Sequence, residues 1–512
     1  MPPFIKTACC RSSLVLPVAV VVVLTGCTTL GPDYVTPEVD TELAWLQDQD
    51  PLLSAQKPTN TEWWESSFQD PVLNELVNTA LSDNLSLRSA GLRVLQAQEN
   101  LRIAAGQTFP TQTLGGGIGR QGLADNEIGP GDDQYFNSDL LGFGVEWEAD
   151  VWGRFRRLVE SASAQLDASV ASYDGVLLTL LAQVSNTYLA IRTSEERIFY
   201  IEQNIEAEEQ ALKIAEDRFA GGLVTELDPE QARSLLYNTQ AQLGDVQISL
   251  AQLRNTLALL LGRKPGEVSD ILGEPGEVPS ASAELALGMP QDLIRRRPDI
   301  RQSERLLASQ SAQVGFAITD LYPTFTLGGS VQFASNDAGD NDLDDIFNSS
   351  SRSWNLQGGF NWNVWNYGRI KGNIRLQDAL FQQLAIDYEN TVLSAQAEIE
   401  NAIIAYLISQ QQQGWYQKAA DAAQGSVDIS QIQYREGLVD FNTVVNNLTV
   451  LQQQQDLLAT TKGVVATNLV NVYLALGGGW EIRAGQTADD LIPQATKDEM
   501  RDRIKYWDGV LE

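Results

Sequence analysis

The residue types that carry most protein chemistry are missing here or wrongly spaced. Among the 512 residues there is no histidine, which removes Ser-His-Asp and Cys-His catalysis, the HExxH zinc site and any imidazole pH switch. Three cysteines, Cys9, Cys10 and Cys27, are too few for a disulfide framework. Gly115-Gly116-Gly117 lies in a strand-like stretch and opens no helix, so it cradles no phosphate. Sixty-seven Asp+Glu against 35 Lys+Arg give a formal charge of −32, which repels phosphate backbones and argues against nucleic acid as a partner. With no nucleophile-base pair and no metal-ligand cluster, neither enzyme activity nor a bound metal is expected. The thiol of Cys27 is the one group left with chemistry to explain.

Its setting is an export signal. Lys6 and Arg11 precede an apolar run, Leu14 to Leu24, that is far shorter than the ~20 residues a spanning helix needs. The small-residue stretch Leu24-Thr25-Gly26-Cys27 follows, so residues 1–26 read as a signal peptide. LTGC resembles the bacterial lipobox, in which the cysteine becomes residue one and is acylated. Carried over, Cys27 would bear N-acyl and S-diacylglycerol chains, and no other cofactor is expected. Cleavage also discards Cys9 and Cys10, and a thiol kept alone in an oxidising compartment needs a reason that lipidation supplies. The alternative is an ordinary secreted protein with an incidental cysteine. Thr28 lacks the aspartate associated with inner-membrane retention.

No later segment is long and apolar enough for a membrane helix. If the chain crosses a membrane, it must do so as a closed β-barrel. It is also internally repeated. Gly153-Arg154 matches Gly368-Arg369, Gly222-Leu223-Val224 matches Gly437-Leu438-Val439, and Leu261-Gly262 matches Leu476-Gly477, every pair 215 residues apart. Upstream, Arg88, Pro110 and Leu114-Gly115-Gly116 match Arg301, Pro323 and Leu327-Gly328-Gly329 at an offset of 213. The register predicts a tandem duplication, 72–261 and 292–476, with a period too long for a solenoid.

Each half predicts the same order of elements. A helical stretch (72–109, 292–321) ends at Phe109-Pro110 or Tyr322-Pro323, and two strands follow: 111–120 with 138–151, and 324–335 with 353–365. Leu141, Phe143, Val145 and Trp147 alternate with Gly142, Gly144, Glu146 and Glu148, the two-residue period of a membrane barrel strand. Trp354, Leu356, Phe360, Trp362 and Val364 alternate likewise with Asn355, Gln357, Gly359, Asn361 and Asn363. Trp147, Trp152, Trp354, Trp362, Trp365 and Tyr367 fall towards strand ends, as interfacial girdles do. The strand connections hold Asp125, Glu127, Asp132 and Asp133, and Asp337, Asp340, Asp342, Asp344 and Asp345; solvated external loops explain them, with a cation-binding rim as the alternative.

Long proline-free regions, 153–221 and 368–436, come next, each about 100 Å if helical. A turn and a shorter return helix complete helical hairpins 153–261 and 368–476. Each half thus reads as one long helix beside two shorter ones stacked end to end. Four strands per chain cannot close a barrel, since about eight is the smallest, and an open edge is not tolerated in lipid. The chain must therefore assemble with copies of itself. A coiled-coil spacer with small structural sheets explains neither the aromatics nor the export signal.

In this order and spacing, Gly31-Pro32-Asp33-Tyr34, Trp63-Trp64-Glu65-Ser66, Asp70-Pro71, Arg295-Arg296-Arg297-Pro298-Asp299, Tyr322-Pro323, Tyr367-Gly368-Arg369 and the two Gly-Leu-Val turns resemble the TolC-like outer-membrane efflux channels, specifically the lipid-anchored branch serving tripartite drug pumps. The resemblance implies a fold that is mainly α with a β-barrel portion. It would be a homotrimer, its twelve-stranded barrel in the outer-membrane lipid continued by a periplasmic α-helical barrel. It implies equatorial segments 27–71, 262–291 and 477–512 around the two repeats. The implied function is passive conduction of drugs or other small molecules, pushed by an inner-membrane RND-type proton-driven exporter through a periplasmic adaptor (membrane fusion) protein. A related duct for type I protein or oligosaccharide secretion is the alternative, and a poreless structural lipoprotein a more distant one.

Residue by residue, Gly222, Leu223, Val224, Gly437, Leu438 and Val439 match adaptor-contacting tips, or else are simple hairpin turns. Tyr434 and Asp228 match members of a closed-state periplasmic gate, or else are solvated helix positions. Where relatives ring the narrowest point with carboxylates, this chain has Thr443 and Asn446, which form no cation trap. The mature protein should lack residues 1–26 and carry the acyl mass on Cys27; intact mass spectrometry of wild type and Cys27→Ser checks this, and an unmodified Cys27 would refute the anchor.

Overall fold

The computed structural model describes residues 29–39, 45–47, 50, 53–54, 61–124, 126, 134–281, 285–286, 295–338 and 342–511. The expected signal peptide 1–26 and lipid anchor Cys27 lie outside the described residues, as do Asp125, Glu127, Asp132, Asp133 and Asp340 of the acidic connections. In chain order the elements are β1 (Leu53–Ser54), α1 (Trp63–Phe68), α2 (Pro71–Asp83), α3 (Leu85–Gly106), β2 (Thr111–Gly122), β3 (Tyr135–Ala149), α4 (Arg154–Ala220) and α5 (Leu227–Leu260). Then follow α6 (Ser269–Leu272), β4 (Leu285–Ala286), α7 (Pro298–Thr319), β5 (Thr324–Asn336), β6 (Arg352–Asn361), α8 (Arg369–Arg435), α9 (Phe441–Ala475) and α10 (Gln494–Arg503). No described helix is long and apolar enough to cross a membrane.

The chain forms two compact units, and neither coincides with a repeat: residues 1–37, 96–167 and 304–386 make one, and 38–95, 168–303 and 387–512 the other. Each unit draws on both halves of the duplication. The first holds an antiparallel sheet in the order β2-β3-β5-β6, so the hairpins of the two halves join through β3 and β5. Its register sorts the side chains by chemistry. Thr113, Gly144, Ser330 and Asn355 stand opposite one another, as do Thr111, Glu146, Gly328 and Gln357, on one face. Leu114, Phe143, Val331 and Trp354 share the other face, with Trp147 beside Leu327 and Phe325 beside Phe360. That apolar face is uncovered: Leu114 and Trp354 are each 75% exposed.

Strand β6 is shorter than its alternation predicts, ending at Asn361 rather than at 365. Its partner β5 begins at Thr324, directly opposite Asn361, so Trp362 onward has no ladder to join. Trp362 instead donates its indole N–H to the Leu321 carbonyl at 2.9 Å. Trp152 does the same to Pro323 at 2.8 Å and Trp147 to Thr108 at 3.1 Å, so three of the predicted girdle residues are anchored where helices meet strands. In the acidic connections, Asp342 accepts from the Asp344 N–H and Asp345 from the Asn348 side chain, as loop caps do.

The Gly31-Pro32-Asp33-Tyr34 motif belongs to the first unit as a strap on α4 and α7. Arg157, only 2% exposed, donates to the Leu30 carbonyl (3.0 Å), the Gly31 carbonyl (3.2 Å) and the Asp33 carboxylate (3.0 Å). Gly315 leaves room for it, because a Cβ there would stand 2.8 Å from the Arg157 Nε.

The second unit contains α4 from residue 168, α8 from residue 387, and both return helices. The expected helix 72–109 is two helices, because Asn84 takes an extended conformation between α2 and α3. Its amide donates to the Leu260 carbonyl at the end of α5 (2.8 Å), while its oxygen caps Leu87 (2.8 Å). The repeat register places Arg297 at the equivalent position, and Arg297 donates to the equivalent Ala475 carbonyl (2.7 Å), with Asp299 and Glu398 balancing its charge. Gly153 and Gly368, Gly222 and Gly437, and Gly262 and Gly477 all have positive φ, so each repeated glycine marks a bend that a Cβ would strain.

Two of the buried acids of this unit, Asp174 and Glu208, are the most deeply covered. Asp174 is fully buried and held by Arg301 (3.1 Å) and Arg483. Asp174→Ala leaves both guanidiniums without their shared carboxylate and should cost about 3 kcal/mol by thermal unfolding; an unchanged melting temperature would count against that role. Glu208 of α4 is 1% exposed, accepts one hydrogen bond from Thr239 of α5 (3.0 Å), and its other oxygen finds no donor. Burial pushes its carboxyl up to about 7. Because the folded value lies above the unfolded one, this group's stabilisation is fully present below about 4.5 and is lost as pH rises from there to about 7. Glu208→Gln should therefore match wild type near pH 4 and be more stable at pH 8, by roughly 2 kcal/mol, in thermal unfolding; equal pH profiles would refute this.

Candidate functional site

The two long helices end in the same way. In the first hairpin the Gly222 N–H donates to the Phe219 carbonyl (2.9 Å) and the Leu223 N–H to the Arg218 carbonyl (2.9 Å). In the second, Gly437 donates to Tyr434 (2.9 Å) and Leu438 to Gln433 (2.8 Å). These paired bonds form a Schellman motif, which satisfies the last carbonyls when a positive-φ residue follows the helix. The motif turns Leu223 and Leu438 outward, 70% and 73% exposed, while Val224 and Val439 are half-buried.

The return helices begin just beyond. Asp440 caps α9, accepting from the Thr443 N–H (2.9 Å) and the Thr443 hydroxyl (2.8 Å), and these bonds hold its carboxyl below the usual range. Asp228 sits in the first turn of α5, where the helix dipole favours a negative charge. Its Oδ2 accepts the Tyr434 hydroxyl at 2.9 Å across the hairpins. Tyr434 is 2% exposed and packs on Phe441 at 5.0 Å. Burial, then the bond to Asp228, pushes its phenol well above its ordinary range, so it stays a proton donor.

Of the four gate residues expected, the structure thus joins Asp228 and Tyr434. Thr443 is spent on the Asp440 cap, and Asn446 is exposed one turn further along α9. Sequence reasoning missed Arg218. Its guanidinium donates to the Tyr434 and Arg435 carbonyls, the latter at 3.0 Å, and covers the Tyr434 ring at 4.7 Å. A cation in the last turn of α4 reads as a partner for its own helix dipole; that it serves the end of α8 is a tertiary fact. Asp440 had a signal, since an aspartate directly before a helix is a common cap. Beneath the turns a shared apolar core from all four helices includes Ala211, Ala215, Ala232, Val427, Val444 and Leu448.

Bonds between helix ends, buried phenol and carboxylate can hold two hairpins together and release them. They cannot run a reaction, since the cluster offers no nucleophile with a base. Comparison with known proteins likewise gives a channel rather than an enzyme. The family model described as outer membrane efflux protein matches residues 76–263 and 289–478, once in each half. The probable efflux pump outer membrane protein SepC of Pseudomonas putida is 28% identical over 483 residues, covering 91% of this chain and 97% of that one. The probable outer membrane lipoprotein SilC of Salmonella typhimurium is 25% identical over 471 residues, covering 91% and 98%. The solved outer-membrane channel OprN superimposes with a TM-score of 0.82 at 29% identity, covering 88% of this chain and 99% of that one. The doubled match, the barrel-type sheet with one polar and one apolar face, and the likeness to a solved channel lead to one conclusion: the chain belongs to the outer membrane efflux protein family and is the outer-membrane channel of an efflux system.

Proposed function

We propose that three copies of this chain form a passive exit duct for drugs and other small molecules. Their sheets close as a twelve-stranded barrel and their long helices continue it through the periplasm. The observation that carries the proposal is the sheet itself. Among the described residues, strands β2 and β6 each have one hydrogen-bonded neighbour and the apolar face is bare, so the sheet needs further strands beside it and lipid around it. Closing it with the apolar face outward leaves Thr113, Ser330, Asn355, Gln357 and Glu146 lining a hydrated lumen.

Movement through such a duct needs no proton transfer from the protein, so the driving force comes from an inner-membrane RND-type proton-driven exporter. A periplasmic adaptor docks on Gly222-Leu223-Val224 and Gly437-Leu438-Val439, whose exposed leucines offer apolar contacts at the helix tips. The Asp228–Tyr434 bond holds the periplasmic end closed until docking separates the hairpins. Acyl chains on Cys27 anchor each copy; the relative SilC bears the name lipoprotein. Thr443 and Asn446 face the narrowest passage without adding carboxylates there.

Purified full-length protein in planar bilayers should give discrete conductance steps, run as three copies on chemical cross-linking, and keep its current when micromolar trivalent cations are added on the periplasmic side. Absence of conductance would sink the duct. Block by the cations would sink the uncharged constriction alone.

A further inference from the structure

The residues that join the hairpin tips do not follow the duplication. At the 215-residue offset Arg218 corresponds to Gln433, Tyr434 to Phe219, and Asp228 to Thr443. None of the three is repeated, although the turns around them are. Phe219 is 44% exposed where Tyr434 is 2%. The contact is therefore a single built device on one side of each hairpin rather than a by-product of the repeat.

Arg218 does the most in it. Helix α8 ends with carbonyls that have no donor of their own helix beyond them. The Schellman bonds occupy those of Tyr434 and Gln433. The Arg218 guanidinium reaches across from α4, its Nη1 donating to the carbonyls of both Tyr434 and Arg435, and brings a positive charge to the negative end of the α8 dipole. The same guanidinium lies over the Tyr434 ring, 4.7 Å from its centre. Tyr434 is thus held on its ring by α4 and at its hydroxyl by α5, and its reach to Asp228 depends on where the end of α8 is kept.

We propose that Arg218 is a positioning residue of the periplasmic closure, clamping the end of α8 to α4 so that the Tyr434 hydroxyl meets Asp228. This rests on the reading of Asp228 and Tyr434 as a gate. Releasing the clamp frees α8 to move away from the first hairpin, and the channel spends more time open. A residue that merely stabilised the fold would lower the amount of channel without raising the conductance of each one.

The test compares full-length wild type, Arg218→Gln, Arg218→Lys, Asp228→Ala and the Arg218→Gln/Asp228→Ala double variant, at matched levels of assembled protein. The readouts are the single-channel open fraction in planar bilayers and cellular sensitivity to vancomycin, which intact outer membranes exclude. Arg218→Gln should raise the open fraction about tenfold, equivalent to about 1.4 kcal/mol, as Asp228→Ala does, with the double variant little different from either. Arg218→Lys, which keeps the charge and loses the planar guanidinium over the Tyr434 ring, should fall between. If Arg218→Gln conducts like wild type while Asp228→Ala opens, the clamp is refuted and the gate survives. If neither opens, the gate reading fails and the clamp with it. Should Arg218→Gln not assemble, Arg218→Lys decides: a twofold or greater rise supports the clamp, and no rise refutes it.

Discussion

A β-strand in lipid must find partners for every backbone N–H and C=O, because no water is there to take them. This chain supplies four strands of one sheet and leaves the outer edges of β2 and β6 unpaired among the described residues. Much of the rest follows from that shortfall. The two halves must lie side by side so that β3 and β5 can pair, and this explains why each compact unit is assembled from both repeats. The bare apolar face, the polar opposite face and the tryptophans tied to carbonyls at the helix junctions are all properties of a stave, not of a closed globule.

Duplication gave the chain two copies of each element, and the copies have diverged where their chemistry matters. Asn84 and Arg297 do the same work, each donating to the terminal carbonyl of a return helix, yet one is a neutral amide and the other a buried cation that needs Asp299 and Glu398 beside it. Beside the shared Gly-Leu-Val turns, Arg218, Tyr434 and Asp228 have no counterparts of their own kind. Elements whose role is geometric stayed alike: Gly153, Gly222 and Gly262 recur as Gly368, Gly437 and Gly477, all of positive φ, because those bends recur.

Most of the fold was legible in advance, for reasons specific to its elements. Long proline-free stretches announced α4 and α8, and two-residue alternation announced β3 and β6. The errors were local. The alternation ran on to residue 365 although β5 offers no partner beyond Thr324, and one helix was expected where Asn84 ends α2 and starts α3. Period and propensity report what a segment prefers by itself, whereas strand ends and helix breaks depend on what lies opposite. At the candidate site Tyr434 and Asp228 were found through resemblance, Asp440 was readable as a cap, and Arg218 was not readable, because its partners lie more than 200 residues away.

By itself the sequence determined the absence of imidazole chemistry, the duplication and its register, the order of helices and strands, and the need for partners along a four-stranded sheet. All of these follow from residue type and short-range spacing. The tertiary structure alone decided which carbonyl each buried cation serves, that Arg218 crosses to the end of α8, and how Gly31 and Asp33 close on Arg157. Those are choices between chemically similar partners, and only the approach of distant segments in space distinguishes them.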